Sequence, residues 1–258
     1  MLALSFGEIG AWLGQLWWPF MRVAACFMVM PIFNEAALPN RVRLGMALIL
    51  AILVAPIVGQ MPQVELLSIN SLLLALEQAL IGAMMGFVLL MLFAVMSNLG
   101  QILAMQMGMA MAVMNDPQNG ISVAILGRMF LLFASLMFLA LDGHLVAMDV
   151  VVASFTSWPV GTGMMAFEWH RLAGLFAWML ASSLVLALPA VAAMLLVNIT
   201  FGVMNRSAPS INVFSLGFPM AMIFGLFSLF LSISGVPEHF TRLSNEALNL
   251  MASIVGAQ

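Results

Sequence analysis

Six apolar runs divide the chain, at residues 9–33, 44–58, 71–96, 121–141, 172–204 and 213–233, with short polar turns between them. Most come near the roughly 20 residues that a spanning helix needs. None shows the alternating short strands of a membrane barrel, so the pattern predicts an all-α membrane protein with about six apolar helical segments. Prolines modify two of them. Pro19 interrupts the first run, and Pro189 sits near the middle of the fifth, where it predicts a kinked or broken helix. Beyond the sixth run, Phe240, Leu243, Ala247 and Leu250 recur at helical spacing, which predicts a short amphipathic tail helix resting on membrane or on a partner.

The stretch at residues 100–122, GQILAMQMGMAMAVMNDPQNGIS, breaks the pattern. It begins as a membrane helix, passes through Met105, Met107, Met109, Met111 and Met114 interleaved with Ala and Gly, and ends in a polar turn at Asn115–Gly120. Lipid offers no partner for free backbone N–H and C=O groups, so such a segment between spans must be buried in protein or line a cavity. Unbranched, polarizable methionines seal around changing shapes. The expectation is a loop that blocks a passage.

Composition agrees with the pattern: 258 residues, 64% hydrophobic, 7% charged, mean hydropathy +1.16. The seven cations are all arginine and the net charge is −3, which gives no basic surface for nucleic acid. Arg41 and Arg43, in the turn at residues 31–45, are the densest positive charge and mark a cytoplasmic loop. If every run crosses once, Arg206 in the turn at residues 205–212 falls on the same side, and both termini lie outside. The N-terminus lacks the basic region and cleavage site of a secretory signal, so the first helix is expected to stay. Cys26, the sole cysteine, lies in an apolar run and reads as a packed thiol.

Charged residues inside the runs are the candidates for chemistry. Arg22 either faces the bundle or a neighbour, or snorkels near a break at Pro19. Gly82 and Gly86, four apart, read as a close helix contact. Glu77 is either a proton carrier or one side of an interhelical hydrogen bond. Asp142, His144 and Asp149 read as a cap and turn, with Gly143 as the break, ahead of a metal or proton relay. The following residues, 150–171, look amphipathic and irregular. No phosphate-binding loop, dinucleotide fingerprint, HExxH or nucleophile elbow is present, so no catalytic, cofactor-binding or metal site is expected. An ion-coupled secondary transporter using Glu77, Asp142 and Asp149 is the alternative, although no internal repeat supports it.

The segment AMQMGMAMAVMNDPQNG resembles a family pattern of the form GQ…QMG…A…DPQ…G, and the earlier LPNRVRLG and the later LALDGHL, SFTSWPVG and stretch from Leu186 to Pro219 fall in the expected order. Together they resemble the FliR family of the flagellar type III export gate over nearly the whole chain, with Ser210 in place of the usual glutamine. The resemblance implies a non-enzymatic subunit of a multi-pass gate in the bacterial inner membrane, at the flagellar basal body. It implies assembly with FliP and FliQ homologues, an FlhB homologue alongside, and unfolded export substrates in transit. It further implies a FliP-like part over residues 1–170, a FliQ-like hairpin over 171–235 and a tail over 236–258. The pore plug would comprise Gln106, Met107, Gly108, Met109, Met111, Met114, Asp116, Pro117, Gln118 and Gly120. Arg41, Arg43, Arg206, Pro209 and Asn212 would lie in loops or at subunit contacts. In such an assembly other subunits, as well as lipid, can cover the apolar runs.

Overall fold

The computed structural model describes residues 6–33, 38–58, 61–62, 64, 68–109, 122–163, 169–207 and 213–256. Eight α-helices follow one another among them: α1 Phe6–Val29, α2 Asn40–Val54, α3 Ile69–Gln106, α4 Ser122–Ala140, α5 Gly143–Ser157, α6 Trp169–Ser207, α7 Val213–Ser232 and α8 Val236–Ile254. A single 3₁₀ turn, Ile233–Gly235, links α7 to α8. No strand occurs among the described residues, in keeping with the all-α expectation.

Length decides which helices can cross lipid. The 15 residues of α2 rise about 22 Å, short of the roughly 30 Å hydrocarbon core. Among the described residues, three segments are long and apolar enough, Ile69–Gln106, Trp169–Met204 and Pro219–Ile254. A fourth span results if α4 and α5, bent by 69° at their junction, count as one.

Several boundaries also differ from the sequence reading. Helix α1 continues through Pro19 without a break, and α6 continues through Pro189. Helix α3 runs ten residues past Met96, to Gln106. Residues 150–157 are regular helix, and the irregular backbone begins only at Trp158, where Gly161 and Gly163 take positive φ values of 89° and 82°. At the bend before α5 it is Asp142, with φ of 55°, that adopts the left-handed conformation, whereas Gly143 is helical. Aspartate tolerates that region better than most side chains, so the turn forms one residue earlier than expected.

The chain forms two compact units that interleave in sequence. The first comprises residues 1–91, 142–175 and 245–258. Its core holds Trp18, Cys26, Phe27, Ala51, Met85 and Phe155, all nearly inaccessible. Helix α1 packs on α2, and Phe27 stacks on Phe33 with ring centroids 4.4 Å apart. Gly82 and Gly86 let α3 press directly on α1: a Cβ at Gly82 would collide with the Arg22 carbonyl, and one at Gly86 would lie 2.7 Å from the Cys26 carbonyl. The small-residue contact read from the sequence is thus present, and so is the buried thiol of Cys26.

The second unit comprises residues 92–141 and 176–244. Phe93 of α3 meets Phe138 of α4 edge to face, with centroids 5.5 Å apart. Further along, Gly100 abuts the backbone of Leu126 and Gly127, and Gly127 in turn faces the Ser97 carbonyl. Glycine on both helices brings the two backbones together as close packing in membranes requires. Helix α6 contributes Met179, whose sulfur accepts from the Asn98 amide at 2.9 Å.

The tail helix is amphipathic as expected. Its apolar face, including Phe240, Leu243 and Ala247, is buried within the chain itself, with Leu250 at its half-buried edge.

Candidate functional site

Helix α3 ends on a defined cap. Met107 N–H donates to the Leu103 carbonyl and Gly108 N–H to the Met105 carbonyl, both at 3.0 Å, while Gly108 turns the chain out of the helix with φ of 73°. Glycine takes that conformation without a Cβ penalty. Met107 is fully buried, and its side chain fills the space over Gly225 on α7, where any Cβ would strike Met107 Cγ. The base of the methionine-rich stretch is therefore fixed by a side chain seated in a glycine notch. Gln106, Gly108 and Met109 are half-buried beside it. Met111, Met114, Asp116, Pro117, Gln118 and Gly120 lie outside the described residues, as do Pro209 and Asn212.

The remaining predicted positions are dispersed. Arg41 and Arg43 belong to the first turn of α2 and not to the preceding loop; Arg41 is exposed and Arg43 buried. Arg206 is exposed in the last turn of α6, where a cation complements the helix dipole.

A polar cluster that the sequence did not disclose lies in the first unit. Arg22 is inaccessible, and its guanidinium satisfies acceptors from three separate stretches of chain. Nε donates to Gln78 Oε1 at 2.8 Å, one terminal nitrogen donates to the Ser154 carbonyl and hydroxyl at 2.8 and 2.9 Å, and the other to the Trp158 carbonyl at 2.9 Å. The plane also sits 4.2 Å above the Phe155 ring. Of the two readings of Arg22, facing the bundle is therefore the observed one. Glu77 supplies a favourable charge to it, and its carboxylate is 3.5 Å from Gln78 Nε2. The only sequence sign of these partners was Gln78, a second polar residue beside Glu77 in an apolar run.

Asp142 and Asp149 are exposed. A cavity of about 400 Å³ in the second unit is lined by Leu103, Phe130, Pro189, Ser232 and His239 among others, and by none of Glu77, Asp142 and Asp149. Among the described residues, no group of three or more His, Cys, Asp or Glu is placed to hold a metal ion.

The profile of the bacterial export proteins, family 1, matches residues 13–247. The chain belongs to that family. FliR proteins align with most or nearly all of its length. The flagellar biosynthetic protein FliR of Escherichia coli K12 is 32% identical over 99% of this chain and 98% of its own length. FliR of Pectobacterium carotovorum is 31% identical over the same shares, and FliR of Bacillus subtilis is 27% identical over 92% and 94%. The FliR resemblance read from the motifs is borne out. Family 1 membership and the long apolar helices together place the chain among membrane components of flagellar protein export.

Proposed function

We propose that this chain is a non-enzymatic subunit of the flagellar type III export gate in the bacterial inner membrane. It assembles with FliP- and FliQ-like subunits, with an FlhB-like protein alongside, and unfolded flagellar proteins pass through the channel so formed. The observation that carries the reading is the end-to-end match to FliR proteins. In this reading residues 1–170 correspond to a FliP-like part, 171–235 to a FliQ-like hairpin and 236–258 to the tail.

The loop from Gln106 to Gly120 closes the passage when no substrate is present. Its chemistry supports that role: methionines fill space without strict shape demands, glycines permit sharp bends, and Asn, Asp and Gln side chains are able to hydrogen-bond nearby backbone. The Met107–Gly225 contact and the Gly100–Gly127 crossing support it further, because they give the loop a rigid base in α3, α4 and α7. Opening needs displacement alone and no covalent step.

Native mass spectrometry of the tagged chain, extracted in mild detergent after co-expression with its genomic neighbours, tests the assembly. The expected species is one large complex holding this chain with multiple copies of two other small membrane proteins. A lone chain or a plain homo-oligomer overturns the reading. For the plug, deletion of residues 106–120 is expected to make assembled gates leaky to small ions. Unchanged ion permeability removes that assignment.

A further inference from the structure

Helix α4 buries one face and shows the other. Leu126, Phe130, Ala134 and Phe138, spaced four apart, are inaccessible. The opposite stripe, Ile125, Met129, Leu132, Leu136 and Leu139, is 40–62% exposed. Arg128 stands on that stripe between Ile125 and Leu132, toward the start of the helix, exposed, and among the described residues it forms no hydrogen bond or ion pair. Beside it on α3, Gln101 is also exposed and its amide donates to the Ser97 hydroxyl at 3.4 Å, where Gly127 brings the two helices together.

An arginine on an otherwise apolar helix face is costly in lipid and ordinarily meets an acceptor inside a protein assembly. Reaching a lipid phosphate from here means passing Ile125 on α4 and Met105 on α3, both more than half exposed and apolar. Charge balance also points outward. The second unit contains three arginines, at 128, 206 and 242, against two acidic residues, Asp116 and Glu238.

Building on the gate reading, we propose that the exposed stripe of α4 is a docking face for a transmembrane helix of a neighbouring, different subunit, and that this helix carries an Asp or Glu carboxylate opposite Arg128. The leucines supply the contact area. Arg128 and Gln101 fix its register, because a carboxylate one turn out of place leaves both charges unpaired.

Co-expression of the full chain with its partner subunits tests this through Arg128→Leu, Arg128→Lys and Arg128→Glu, reading assembled complex against total membrane-inserted chain. Arg128→Leu is expected to lower the assembled fraction about tenfold or more, since it strands a buried carboxylate on the partner. Arg128→Lys is expected to restore part of it, and Arg128→Glu is expected to be rescued by a basic residue in place of the partner's carboxylate. A photo-crosslinker at Leu132 in otherwise unaltered chain gives a second readout that does not depend on how the variants fold, with a protein adduct to a different subunit expected. Wild-type assembly by Arg128→Leu, or adducts to lipid alone, overturns the docking face and leaves the gate reading standing. A wild-type chain that assembles with nothing overturns the gate reading and the docking face with it.

Discussion

Arg22 shows what a buried cation costs and what makes it tolerable. Each of its nitrogens has an acceptor, three of the four acceptors are neutral carbonyl or amide oxygens, and a ring covers one face. Arg22→Leu leaves those acceptors without donors in a dry core, so the purified protein should lose about 3–5 kcal/mol of stability. Thermal unfolding in detergent reads that loss. Arg22→Lys keeps the charge but not the planar fork, and should recover only a minor part. Glycines allow a sharper comparison. Gly82→Ala places a methyl against the Arg22 carbonyl and should be strongly destabilising, whereas Gly202→Ala on α6 meets nothing within 4 Å and should be neutral or stabilise by about 0.5–1 kcal/mol. Equal unfolding temperatures for the two variants would contradict the close approach of α1 and α3.

At the level of elements, the end of α3 is defined by what sits under it. Gly225→Val should expel Met107 from its notch and loosen the base of the segment that follows α3, seen as faster proteolysis near residues 106–120 than in the native chain. An unchanged cleavage rate would show that the notch does not hold the end of α3. The existence of most helices was legible in the apolar runs, because a run long enough to bury has few other solutions in lipid. Their ends were less so. The sequence around Gly100 reads as the start of a soft segment, yet Gly100 is a packing contact between two helices, and helix continues for six more residues. The amphipathic tail was legible as a helix, but not its cover, since periodicity says that a face is buried and not by what. The Arg22 cluster was hidden for a related reason: its acceptors lie 56, 132 and 136 residues away, and only the fold brings them together.

For the molecule as a whole, the outward surface is the dominant fact. The spans in α6 and in α7–α8 are only 22% buried over their most apolar windows, against 67% for α3. Leu196 and Phe230 are among the most exposed side chains, at 67% and 71%. Patches of that kind are stable only when covered by lipid or by protein. Helix α6, at 39 residues, is about 58 Å long and exceeds the roughly 30 Å hydrocarbon core by nearly twofold. Whatever lipid covers, some of that length must find another cover. In a cell, an orphan copy would therefore present greasy helix to the aqueous phase, the feature that chaperones and membrane proteases engage. Its lifetime should follow the supply of the subunits that shield it, so that pulse-chase labelling without them shows rapid loss, and stoichiometry is set by degradation as much as by synthesis.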